Sequence, residues 1–267
     1  MSQTSRTTAI ALVVMAAVLL IGPGCSHEGS MDPAGPTSNQ AVREAFDEVN
    51  TFVEPYDTRR NEGGWSFHTN HPYVIEREGG NPGGYLHDPL VVSALPHPGT
   101  RLGTESMFTG NYRARNVTSV GIDLRSIYYD GDPTSRRLCV LLMNDNGTAG
   151  YLEDDWGAFF EGEATIPSKY VPMKAVAGAV TLNEPGWKSF DFDIPSQEDP
   201  KQWRQFPEGW TFFQWYDDGD GQRPGESWGA LMENVSYIEF PYGRPDLWYI
   251  FHTWELGLDN PRISWEL

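Results

Sequence analysis

The sequence predicts an all-β fold, a two-sheet antiparallel sandwich, and three features carry that prediction. Long helical periodicity is absent beyond about residue 51. Short runs alternate apolar and polar residues, as in Val120-Gly121-Ile122-Asp123-Leu124-Arg125 and Phe190-Asp191-Phe192-Asp193-Ile194. Successive side chains of a strand point to opposite faces, so each run reads as a strand with one wet face. Turn chemistry separates the runs: the chain holds 28 Gly and 20 Pro, and Glu78-Gly79-Gly80-Asn81-Pro82-Gly83-Gly84 is the densest turn cluster. Strands spaced by such clusters define a sandwich.

The elements follow in order. Arg6, an uncharged apolar run from Ala9 to Ile21, and Gly22-Pro23-Gly24 before Cys25 have the arrangement of a secretory signal over residues 1–24. Thirteen helical residues span about 20 Å, short of a hydrocarbon layer of about 30 Å. Residues 25–50 read as a Gly-, Pro- and Ser-rich tether followed by a short helix. Thr37 and Gln40 have capping-box spacing, and Val42, Ala45, Phe46 and Val49 form an apolar stripe. Residues 51–267 then form the sandwich domain. Leu138 to Met143 is apolar throughout and reads as a central strand covered on both faces. Further strands are expected at Thr211–Trp215, Val235–Phe240 and Trp248–Trp254, with a last one near Arg262–Trp265. Ala158 to Gly178 reads as a long loop or insertion.

Charge and cysteine content narrow the partners. The formal charge is −18, and removing residues 1–24 takes away Arg6 and no acid, leaving −19. Such a surface repels nucleic acid and anionic headgroups. It suits divalent cations or neutral sugars. With 39% hydrophobic and 13% aromatic residues the domain has ample core material. Cys139 has only Cys25 as a second cysteine, so packing and not disulfides must hold the fold, and Cys139 reads as a buried inert thiol.

Cys25 directly after the apolar run resembles the lipobox of bacterial lipoproteins, although Gly22 stands where that family usually carries Leu. The resemblance implies lipidation of Cys25 and a lipoprotein of the outer membrane or cell surface, attached to the membrane through its lipid alone. The alternative is ordinary secretion with Cys25 as an incidental thiol.

Three further stretches resemble the galactose-binding-like jelly rolls, and among them the laminin type IV (laminin B) modules of surface proteins. They are Gly64-Trp65 with Glu78 to Leu86, then Gly186-Trp187 to Ile194, then Met232 to Ile238 leading to Gly257-Leu258-Asp259-Asn260-Pro261-Arg262-Ile263. The resemblance implies a jelly roll and an extracellular binding or adhesive habit. Pro261 departs from the pattern: it cannot donate to a ladder, so its strand must lie at an edge or start after a bulge. The resemblance also implies a structural calcium near Asp259, with Glu54 as the counterpart acid; Asp259 and Asn260 bonding turn backbone is the competing reading.

The residues themselves offer other candidates. Asp217, Asp218 and Asp220 form an acidic loop suited to Ca²⁺, which takes six to eight oxygen ligands, although the loop lacks the EF-hand glutamate and its Asp-Gly composition equally makes a solvated turn. Trp156, Trp215, Tyr216 and Trp228 lie beside acidic or Gly-rich segments and are the candidates for stacking on sugar rings, against the general rule that large aromatics pack in cores. Gly79 to Gly84 lacks the Lys-Ser/Thr ending of a phosphate loop and reads as a turn. No HExxH motif or E-x-D-x-x-E strand marks a catalytic centre. The expected function is therefore a non-enzymatic extracellular module that binds carbohydrate or another surface polymer. A polysaccharide hydrolase or lyase on the same fold and a structural envelope protein are the alternatives.

Overall fold

A computed structural model describes residues 40–43, 51–53, 65–67, 72–93, 96–100, 106–129, 135–148, 152–167, 186–196, 206–216, 221–247 and 251–267. Two antiparallel sheets face each other. The first contains β1 (Gln40–Arg43), β2 (Thr51–Val53), β4 (Tyr73–Glu76), β5 (Tyr85–Ser93), β7 (Val117–Tyr129), β10 (Lys188–Asp193) and β13 (His252–Trp265). Its order is β10-β7-β13-β5-β4-β2, with β1 also on β13. The second contains β3 (Trp65–Ser66), β6 (Gly99–Thr100), β8 (Ser135–Asn144), β9 (Trp156–Pro167), β11 (Trp210–Gln214) and β12 (Tyr237–Glu239), in the order β11-β9-β8-β12-β6-β3. One short helix, α1 (Trp228–Glu233), is capped by the Ser227 hydroxyl, which accepts the Ala230 N–H at 3.2 Å.

Alternation places the core between the sheets. Val120, Ile122 and Leu124 of β7 and Leu256, Leu258 and Ile263 of β13 point inward from the first sheet, and Leu138, Val140 and Leu142 of β8 from the second. Aromatic rings fill the space between: Trp65 meets Phe108 edge-on at 5.1 Å and stacks on Phe240 at 5.9 Å. Such pairs add about 0.5–1.5 kcal/mol beyond area burial. Strand β8 is covered on both faces as its composition implies. Its outward Cys139, Leu141 and Met143 join Phe159, Phe213 and Tyr237 in a second apolar cluster. The Cys139 thiol is fully buried, and burial pushes its pKa up to about 12, so it stays protonated and inert.

The structure corrects three expectations. Val42 lies in β1, paired with Ile263, and not in a helix: Gln40–Arg43 adds ladder bonds along the end of β13, which a two-turn helix could not match. Residues 44–50, the rest of that expected helix, lie outside the described residues. The segment expected as a loop from Ala158 lies in strand β9, which pairs with β8 through Pro167 and with β11 through Phe160. Residues 168–178 lie outside the described residues. The last two expected strands are one, β13, and its start is at His252.

Pro261 explains how that long strand continues. The register of β13 against β7 shifts between Asp259 and Arg262, with Asn260 at φ 46°. On the other side of β13, pairing with β5 runs from His252 to Leu258, and pairing with β1 runs from Arg262 to Trp265. Proline thus falls in a bulge, in the gap between two neighbours, where no partner requires its missing N–H.

The β8–β9 pairing sets a steric limit. Gly157 pairs with Met143, and a Cβ there would clash with the Leu142 backbone carbonyl. Gly157→Ala is expected to cost about 1–3 kcal/mol in urea unfolding; a variant as stable as the parent would contradict this register.

Candidate functional site

Parts of the three stretches that carry the jelly-roll resemblance, the Gly79–Gly84 turn, Trp187 to Asp191 and Gly257 to Arg262, meet at one place on the outer face of the first sheet, whereas Trp65 and Met232 to Ile238 belong to the second sheet and its core. Strand alternation turns Asp123 of β7 outward, between inward Ile122 and Leu124, yet it is only 2% exposed because the Gly79–Gly84 turn folds over it. Asp123 Oδ1 accepts a hydrogen bond from Arg262 Nη1 at 2.8 Å. Its Oδ2 accepts from Asn260 Nδ2 at 2.9 Å and Asn81 Nδ2 at 3.0 Å. Asp259 accepts the Asn81 backbone N–H and, at 2.6 Å, the Asn260 N–H, and the Asn260 amide also donates to the Asn81 carbonyl. Arg262 reaches across to Asp191 of β10 at 2.6 Å and to the Phe190 carbonyl at 2.9 Å. Trp187 closes the far side: its indole N–H donates to the Gly79 carbonyl at 2.9 Å and its ring meets Tyr85 edge-on at 5.3 Å.

Glycine is required inside this clamp. A Cβ on Gly80 would lie 2.7 Å from Asp259 Oδ2, and one on Gly257 would lie 2.9 Å from the Trp187 ring. Gly79 and Gly83 adopt φ of 96° and 92°, conformations that side chains resist. Asp259 thus bonds backbone N–H groups of the turn and the bulge. Glu54, its expected metal partner, and Asp217, Asp218 and Asp220 lie outside the described residues, as does Cys25. Among the described residues no group of three or more His, Cys, Asp or Glu side chains is arranged to hold a metal ion.

Beyond the clamp the same face carries a lane of exposed and hydrogen-bonding side chains. His87 of β5 lies between two carboxylates, with Nδ1 3.0 Å from Glu76 of β4 and Nε2 3.0 Å from Glu255 of β13. Next along β5 the register with β13 shifts between Trp254 and Leu256, opposite Pro89 and Leu90. The extra residue resets the alternation: Val91 packs toward the core while Leu90 and Val92 are 60% and 64% exposed. Phe251, just before β13, is 72% exposed. From Gly257 beneath Trp187 to the start of β13 at His252 the lane runs about 17 Å at strand rise, and Phe251 follows directly beyond it.

The rings expected to bind sugar separate into two groups. Trp156 and Trp228 are each 3% exposed. The Trp156 N–H donates to Asn146 Oδ1 at 3.2 Å; the Trp228 N–H donates to the Pro195 carbonyl at 2.9 Å and its ring lies 4.7 Å from Trp210. The core takes both, since loop-adjacent positions in sequence are here the inward ends of β9 and α1. Trp215 is half-buried on the outer face of the second sheet, and Tyr216 beside it is 57% exposed. The Trp215 N–H donates to Tyr237 Oη at 2.8 Å, and the Tyr237 hydroxyl donates to Asp155 Oδ2 at 2.9 Å. His97 lies against the Trp215 ring at 5.6 Å and pairs with Glu239 at 3.1 Å. Burial, with the nearby charges of Asp145, Asp154 and Glu239, pushes Asp155 up to about 6 against the lowering hydrogen bond from Tyr237. A third feature, a cleft of about 350 Å³, lies where Val117 and Thr118 begin β7, beside Ile194 and Met232.

Trp187, His87, Glu76, Glu255 and Phe251 were not among the expected site residues. The alternation of β5 and β13 is interrupted by the bulge, so the sequence pattern hides which of their side chains share the outer face. No family model matches the chain, and a search of curated proteins finds no significant relative.

The electrostatics of the clamp give a prediction. Burial alone would raise the Asp123 pKa, but hydrogen bonds from Ser189 and Asn260 and the Arg262 charge outweigh it and hold the carboxyl below its usual range. A carboxylate with a lowered folded pKa contributes stability that is full above the unfolded pKa, near 4, and is lost as pH falls through the folded value. Asp123→Ala leaves Arg262 without this partner and is expected to cost about 3–5 kcal/mol at neutral pH. Asp123→Asn is expected to lose part of the wild-type's sensitivity to acid below pH 4. Urea unfolding as a function of pH measures both.

Proposed function

We propose that the protein is a non-enzymatic surface module that binds carbohydrate or a similar hydroxyl-rich extracellular polymer along the outer face of its first sheet. The observation that carries this reading is the lane itself. Trp187 stands at one end, the exposed Leu90, Val92 and Phe251 at the other, and the Glu76–His87–Glu255 row between them. A sugar ring has an apolar face and an equatorial belt of hydroxyls, so it fits a surface that alternates aromatic or aliphatic groups with hydrogen-bond acceptors. Exposed apolar side chains in a row, rimmed by polar ones, mark an interaction surface. The strands beneath hold the row rigid, which keeps the ordering cost of binding low.

The formal charge of −18 favours neutral or cationic polymers over anionic ones. The apolar run before Cys25 and the Gly- and Pro-rich segment after it support a lipid-anchored, tethered module at the outer membrane or cell surface.

A glycan array followed by calorimetry tests the reading. At least one neutral or amino-sugar polymer is expected to bind, and Trp187→Ala and Phe251→Ala are each expected to weaken it by about tenfold or more, in keeping with the loss of a contact residue at a binding hot spot. Absence of binding to any polymer, or unchanged affinity in both variants, would overturn it.

A further inference from the structure

We propose that the mouth of the β8–β9 hairpin is a binding site for a hard divalent cation, calcium by its donor chemistry, held between Asp145 and Asp155. The last paired residues of this hairpin are Asn144 and Trp156. Asp145 leaves β8 immediately after that pair and Asp155 enters β9 immediately before it, so two carboxylates stand next to each other at the end of the ladder. Both are buried, at 7% and 1% exposure. Like charges placed across a ladder destabilise it, and burial removes the water that would screen them.

One oxygen of each acid is already held. Asp145 Oδ1 accepts from the Ser236 hydroxyl at 2.8 Å and from the Gly147 N–H at 2.9 Å. Asp155 Oδ2 accepts from the Tyr237 hydroxyl. Asp155 Oδ1, by contrast, is buried and meets no hydrogen-bond donor. The charged groups that act on Asp155 are Asp145, Asp154 and Glu239, all acids. A buried carboxylate oxygen without a donor, among other carboxylates, carries a large desolvation cost that a bound cation would offset.

The donors select the ion. The described part of the connecting turn carries oxygen groups, the Asn146 amide oxygen on the Trp156 N–H and the Thr148 hydroxyl on Asp154 and the Asp145 carbonyl, and His97 is turned to Glu239. Because no three His, Cys, Asp or Glu side chains converge among the described residues, carbonyl, amide and water oxygens must complete the shell. Calcium takes six to eight oxygen ligands and accepts such a mixture, whereas structural zinc sites are closed tetrahedra built on cysteine and histidine. The site is separate from Asp259, which lies in β13 of the other sheet. It is also independent of the proposed sugar lane, which lies on the other sheet.

The test is thermal unfolding of the full chain in calcium and in chelator, with terbium luminescence sensitised by tryptophan as a second readout. A cation that binds only the folded state raises the midpoint with its concentration. The wild-type midpoint is expected to rise with calcium. Asp155→Asn and Asp145→Asn are each expected to abolish that rise and the calcium-displaceable terbium emission. Should Asp155→Asn fail to fold, Asp145→Asn and terbium binding to the wild type decide. No calcium-dependent rise in the wild type, or a rise that survives in the folded Asp145 and Asp155 variants, would overturn the proposal.

Discussion

The outer face of the first sheet depends on one buried interaction, the contact of Asp123 with Arg262, Asn260 and Asn81. An ionised carboxylate at 2% exposure is tolerated only when its oxygens are filled and a counter-charge is near. Meeting that demand recruits the Gly79–Gly84 turn from one side, the bulge of β13 from below and the reach of Arg262 to β10 from the other side. Once these are joined, Trp187 has a place to lie, over Gly257 and against Tyr85. The position of one aromatic ring at the surface therefore follows from the solvation of one acid beneath a turn.

The second sheet solves a different problem. Its outer face is apolar where the first is charged, and Leu141, Met143 and Phe159 are buried there as fully as core residues. Half-buried Trp215 sits at the margin of that cluster, fixed through Tyr237 to Asp155. The two faces thus differ in what they offer: the first presents a row of acceptors with exposed apolar side chains, and the second a polar chain that ends on a carboxylate whose other oxygen meets no donor.

Strands with an unbroken pattern were legible in the sequence, and elements interrupted by a bulge or glycine were not. Leu138 to Met143 is apolar at every position, so burial on both faces could be read directly from it. Strand β9 escaped because Gly157 and Gly162 break its pattern, though each glycine is there to let a neighbouring strand or the Phe192 ring approach. Pro261 marked the bulge in β13 but hid the strand's continuity, since the gap between β1 and β5 that accommodates it is a property of three strands. The clamp was half legible. Its three stretches stood out by their turn and tryptophan signatures, but Asp123 sits in an alternating run where an acid reads as a solvated side chain. Only the turn folded over it makes it buried. For the same reason Trp156 and Trp215 looked alike beside their acidic neighbours, and strand direction alone separates the core ring from the half-buried one.

The most direct test of this account is amide hydrogen exchange at Asn81, whose N–H donates to Asp259 inside the clamp. If the buried network holds the turn on the sheet, this amide opens only with the fold, and its exchange free energy matches that of the β7 amides. Exchange at the rate of an open loop, with β7 still protected, would contradict the claim that the turn, and the face it shapes, depend on Asp123.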